Sequence, residues 1–188
     1  MRLLKQTIVA AAIAGAAMAA QAADTIVAEG TMVVPGTFIV DLDTGTLPTD
    51  FPTFSGGDIW WEQVTQTSRA MNVWGGGQLA YVGTVSSSLS FNNLTAANLA
   101  SFTYSTNSIP GGDATNMLTP NSIFAVKTDQ GNYAKVLVTY MLPASIENHG
   151  LIINYVTMAA PVPEPESYAM LLAGLGVVGA VARRRRKA

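Results

Sequence analysis

Three short stretches of the sequence gather side chains that could do chemistry. In Asp41-Leu-Asp43-Thr-Gly45 two carboxylates stand two residues apart just ahead of a glycine, as in the opening of a loop that wraps a hard cation in oxygen. An EF-hand would add a third oxygen ligand, glycine at position six and glutamate at position twelve; here glycine falls at five and Pro52 at twelve. The stretch therefore reads first as a strand running into an Asp/Gly turn. An irregular calcium site through Asp43 or Asp50 is the alternative; the expectation is no bound metal, with Asp41 and Asp43 the fallback candidates.

The second stretch is Asp58-Ile-Trp60-Trp61-Glu62. Strand alternation puts Asp58, Trp60 and Glu62 on one face and Ile59, Trp61 and Gln63 on the other. Two carboxylates flanking an indole suit a sugar: the ring stacks on CH faces while the carboxylates accept hydroxyl protons. Asp58, Trp60, Trp61 and Glu62 are thus candidate carbohydrate contacts. The competing reading has one tryptophan filling the core and the other covering a sheet face, the commoner fate of large aromatics. Trp74, which leads into three glycines, reads as a loop anchor.

The third is His149, the only histidine, set among Glu147, Asn148 and Gly150 in a predicted loop. No Gly-x-Ser-x-Gly elbow, His-Glu-x-x-His helix or phosphate-cradling Gly-x4-Gly-Lys loop accompanies it. The chain has no cysteine, which removes thiolate catalysis, Cys-ligated zinc and iron–sulfur clusters. Glycoside hydrolysis would need two carboxyl groups about 5–10 Å apart across a cleft, and a cleft is not something one sequence shows. No catalytic residue and no cofactor is expected. The body reads as a non-enzymatic surface or matrix component, with a carbohydrate-binding module as the alternative and a secreted hydrolase as the third choice.

Those residues must be positioned by strands. Ser122–Thr128 and Asn132–Tyr140 are runs of β-branched and aromatic residues joined by Asp129-Gln130-Gly131, a hairpin signal; Leu151–Thr157 follows as a third strand of a meander. Upstream, residues 31–34, 37–42, 58–65, 79–85 and 89–91 are predicted strands, the first two broken at Pro35-Gly36. Leu94–Ala100 has helical character with Thr95 as N-cap. The fold class expected is an all-β, mainly antiparallel exported domain, a small sandwich or open barrel, over residues 23–160.

The two ends differ in kind from this body. Arg2 and Lys5 precede an apolar, alanine-rich run over residues 8–20, and Ala20-Gln21-Ala22 offers the small residues read by signal peptidase, so residues 1–22 read as a cleaved signal peptide. At the other end come Val162, Pro163, Glu164 and Pro165, an extended, helix-incompatible segment. Fifteen uncharged residues follow (168–182), then Arg183, Arg184, Arg185, Arg186 and Lys187. An apolar helix of that length spans about 22 Å, short against a hydrocarbon core of roughly 30 Å but within reach of snorkelling and local thinning. The five cations would hold the tail cytoplasmic and leave the body outside the inner membrane.

This order of motif, apolar stretch and terminal basic cluster over residues 161–188 resembles the PEP-CTERM sorting signal of Gram-negative bacteria that make extracellular polysaccharide. Glu166, directly after the motif, departs from the commoner small polar residue. The resemblance implies processing by exosortase near Pro163-Glu164-Pro165, transient anchoring by one short C-terminal transmembrane helix, and delivery to the cell surface or extracellular matrix. Of the partners, exosortase, signal peptidase, the inner membrane and exopolysaccharide are expected. Nucleic acid is not: between Asp24 and Glu166 three basic residues stand against twelve acidic ones, a net of −9 that repels phosphate.

Overall fold

A computed structural model of the chain describes residues 24–65, 68–111, 117–143, 146–161, 172–176 and 183. Residues 24–161 form one unit, with nine strands among the described residues. These are β1 (Ile26–Val34), β2 (Ile39–Val40), β3 (Ile59–Gln63), β4 (Arg69–Val73), β5 (Gln78–Thr84), β6 (Ile109–Gly111), β7 (Ser122–Lys127), β8 (Tyr133–Met141) and β9 (Leu151–Met158). A 3₁₀ turn at Phe91–Asn93 and helix α1 (Ala96–Ala100) lie between β5 and β6. The strands make two antiparallel sheets, β1-β9-β8-β7-β5 and β2-β3-β4-β6. The all-β class expected from the sequence is what the structure shows, in the form of a sandwich.

The meander β7-β8-β9 forms the middle of the larger sheet, as its β-branched runs dictate. Its first turn closes where Thr128 N–H donates to Asn132 O at 2.9 Å, with Gly131 at φ +83°, a conformation that glycine adopts without penalty. β7 is buried on both faces. Phe124 and Val126 point into the core between the sheets, while Ile123 and Ala125 pack beneath Leu94, Ala96 and Leu99 of the 91–100 segment. A strand covered on both sides reads as a continuous apolar run rather than an alternating one.

The core between the sheets takes Val40, Leu42, Ile59, Trp61 and Met71 from the smaller sheet and its loops, and Phe124, Val136, Val138, Ile153 and Tyr155 from the larger. Trp61 is its largest side chain, fully buried, and its indole Nε1 donates to His149 O at 2.7 Å. A Cβ at residue 111 would sit 2.8 Å from Trp61 Cη2, so only glycine lets β6 close over the indole.

Several local expectations change. Residues 37–42 supply only two strand residues, Ile39 and Val40, because Asp41 turns back to pair with Thr46. Residues 89–91 form no strand; they lead into the 3₁₀ turn. α1 begins directly after its expected cap, with Thr95 Oγ1 accepting from Asn98 N–H and Asn98 Oδ1 accepting from Thr95 N–H.

The chain outside this unit is described at residues 172–176 and Arg183, all helical. Among the described residues no helix is long and apolar enough to cross a membrane. The rest of the predicted helix over about 168–182 lies outside the described residues, as do residues 1–22 with Ala20 and Ala22, the Val162–Pro165 motif, and Arg184–Lys187.

Candidate functional site

Two groups of residues sit on the loops and outer face of the smaller sheet. The first is aromatic. β3 and β4 pair with Trp60 opposite Asn72 and Trp61 opposite Met71. Alternation therefore turns Trp61 and Met71 into the core and Trp60, Glu62 and Asn72 to the outer face. Trp60 meets Trp74 edge-on at 6.0 Å, Trp74 meets Phe54 at 5.7 Å, and Phe54 meets Phe51 at 5.8 Å. The four rings form a continuous row from half-buried Trp60 to Phe51, which is 82% exposed. Beside it Asn72 Nδ2 donates to Glu62 Oε2, joining an amide and a carboxylate on the same face.

This arrangement divides the four residues singled out from the sequence as sugar contacts. Trp60 and Glu62 stand together on the outer face. Trp61 is sealed in the core and has no face to offer a sugar ring. Asp58 precedes β3 and is 0% exposed, so it is not a surface neighbour of Trp60. Trp74, read from the sequence as a loop anchor, is held by its N–H donating to Asp58 O at 2.8 Å and also links the row to Phe54. Sequence periodicity missed Phe51 and Phe54, because they lie in an irregular loop where no alternation applies.

The second group is carboxylate. The antiparallel pairing of Val40 with Ile59 brings residues 41–43 beside residue 58. Asp41, Asp43 and Asp58 are 6%, 7% and 0% exposed, and each offers a ligand oxygen within 4.8 Å of the others. Asp41 Oδ1 accepts from the N–H groups of Asp43 (2.9 Å) and Thr44 (3.0 Å), making the turn. Asp58 Oδ2 accepts from Leu42 N–H and its Oδ1 from Asp129 N–H, both at 2.8 Å. Asp43 Oδ1 accepts from Asn132 Nδ2 at 2.8 Å, and Asp43 Oδ2 is buried with no hydrogen-bond partner among the described residues.

Burial raises the Asp58 carboxyl to about 7; the two backbone N–H groups oppose that rise, and the charges of Asp43 and Asp129 add to it. Asp129, at the exposed tip of the β7–β8 turn, is also raised, by desolvation first and then by Asp43 and Asp41. Asp50 lies apart from this group: the Ser55 N–H and Thr53 hydroxyl bind its carboxylate and hold it below the usual value.

His149 sits in a left-handed turn with Glu147 and Asn148, and what the fold draws from it is a backbone carbonyl for Trp61. On the far face of the larger sheet, an open groove of about 410 Å³ is lined by Val82, Leu89, Asn93, Asn98 and Phe102 among others, with no titratable side chain.

Comparison with known proteins speaks to the C-terminal end. The model of the PEP-CTERM protein-sorting motif matches residues 161–187. No curated protein and no solved structure matches the chain. The match covers Val162–Pro165, the apolar stretch and the basic cluster, the three features that the sequence sets in that order. The chain is therefore a PEP-CTERM sorting domain-containing protein, an exported protein sorted by exosortase.

Proposed function

We propose that the exported body is a non-enzymatic component of the cell surface or extracellular matrix that adheres to the producing cell's polysaccharide through its aromatic row. The observation that carries this reading is the run Trp60–Trp74–Phe54–Phe51 beside the Glu62–Asn72 pair. Aromatic faces take the CH faces of sugars, and a carboxylate and an amide accept from and donate to hydroxyls. The buried carboxylates are closed to a substrate, whereas the aromatic row lies open on the outer face.

Delivery follows from the two ends. Signal peptidase cuts before Ala23, the C-terminal segment holds the chain in the inner membrane, and exosortase releases it near Pro163–Pro165. Intact mass of the surface fraction should give a species running from Ala23 to this motif, and only in cells with the peptidase. Retention of Ala188 in every fraction would refute release.

For binding, the producer's polysaccharide should change the tryptophan fluorescence of the protein saturably. Trp60→Ala and Trp74→Ala should each weaken the response about tenfold, in line with roughly 1–1.5 kcal/mol for one lost aromatic contact. Unchanged fluorescence across the titration sinks the adhesive reading; release of new reducing ends replaces it with a hydrolase.

A further inference from the structure

We propose that Asp41, Asp43 and Asp58 form a binding site for a divalent cation of calcium size. Three observations converge on it. First, the ligand oxygens lie within 4.8 Å of one another. Oxygens around one calcium ion sit about 2.3–2.6 Å from it, so opposite members of a shell are roughly 5 Å apart, and these three fit a single shell.

Second, one oxygen is left over. Asp43 Oδ2 is buried and unpartnered, in a side chain only 7% exposed. A buried polar atom without a partner costs free energy, more so when it is charged, and native folds rarely leave one without a purpose. Every partner that the cluster does have is a neutral donor: the backbone N–H groups of Leu42, Asp43, Thr44 and Asp129, and the Asn132 amide. No lysine, arginine or histidine side chain donates to the three carboxylates among the described residues. The cluster thus holds like charges together without an internal counter-ion, and a hard cation would supply one.

Third, the chain passes Asp41 at a residue without a side chain. Gly56 has φ +75°, and a Cβ there would come 2.8 Å from Asp41 Oδ2.

The carboxylates come from two segments, the 41–46 turn and Asp58 at the end of the 50–57 loop, while the turn after β7 donates to them through the Asp129 N–H and the Asn132 amide. A bound ion would cross-link the first two. Because the loop that ends at Asp58 also carries Phe51 and Phe54, the ion would fix the loop end of the aromatic row.

The test uses the full chain in detergent, stripped with EDTA and titrated with calcium chloride by calorimetry, with magnesium chloride and sodium chloride at matched ionic strength as controls. The expected result is one saturable calcium site per chain with a dissociation constant of about 0.1–1 mM, the range of extracellular modules. Thermal unfolding should shift upward with calcium and much less with magnesium. Asp43→Asn should weaken calcium binding at least tenfold, with the far-ultraviolet circular dichroism unchanged. Absence of saturable calcium binding by the unmodified chain overturns the proposal and needs no variant. Undiminished binding by Asp43→Asn overturns it too, as does preference for magnesium.

Discussion

Two of the places where the molecule buries charge treat it in opposite ways. Lys135, on β8, is 7% exposed under the 91–100 segment. Its Nζ donates to Leu94 O at 2.8 Å and lies 4.9 Å from the centre of the Phe91 ring. Burial lowers its pKa and the Asp24 carboxylate acts against that, while Asp24 also accepts from the first N–H of α1. A carbonyl, a ring face and a nearby acid together replace the water that the ammonium gave up. Asp41, Asp43 and Asp58 are buried just as deeply and have each other for charged neighbours. The lesson is that the fold can satisfy a buried charge from within when neighbouring segments wrap it. At the carboxylate end it supplies donors for the turns and leaves the net charge standing.

The contrast can be broken by experiment, and pH should have the largest effect. In the folded protein the Asp58 carboxyl keeps its proton up to about 7, against 3.8 for the free group. The folded state then binds more protons than the unfolded chain between those values, so stability in EDTA falls as pH rises from about 4 to about 7 and levels off above. The full swing is on the order of 4 kcal/mol as an upper bound, read as urea midpoints at pH 5 and pH 8. A flat profile would mean that burial does not hold the proton on Asp58. Next comes Lys135→Ala, which strips the donor from Leu94 O and uncovers Phe91; a loss of roughly 1–3 kcal/mol is expected, and Lys135→Met should recover some of it by keeping the apolar stem. The smallest effect belongs to Asp43→Asn in EDTA, which removes one of the crowded charges. It should leave stability unchanged or raise it by about 1 kcal/mol. A marked loss would show that this carboxylate already has its partner, and the two regions would no longer differ.

How legible this was depends on where each residue sits. The meander of the larger sheet could be read because Ile123 to Val126 and Val136 to Tyr140 carry the branched and aromatic types that suit a pleated surface, with Asp129-Gln130-Gly131 between them. β4 was missed because Arg-Ala-Met-Asn-Val has little strand character; it pairs because Met71 fills the core opposite Trp61. β6 was missed because Ile-Pro-Gly looks like a turn, and its proline is tolerated at the edge of the smaller sheet. Asp41 and Asp43 were visible as a pair, but Asp58 lies beyond a loop and only the register of β2 on β3 brings it near. Its position directly after Gly56-Gly57 was the available signal. Likewise, alternation placed Trp60 and Trp61 on opposite faces but did not say which one was buried; that took the opposing sheet.

The pairing of β1 with β9 has a mechanical consequence. Ile26 stands opposite Met158, and Ala159 N–H donates to Thr25 O at 2.9 Å, so the unit begins and ends at the same spot. The segment that runs on toward the sorting motif continues directly from β9, and β9 is flanked by β1 on one side and β8 on the other. Tension arriving along that segment cannot peel a strand from an edge. It has to break a hydrogen-bonded ladder on each side of β9 at once, so for as long as the C-terminal segment holds the chain, the body would resist a pull as a stitch does, not as a loose thread.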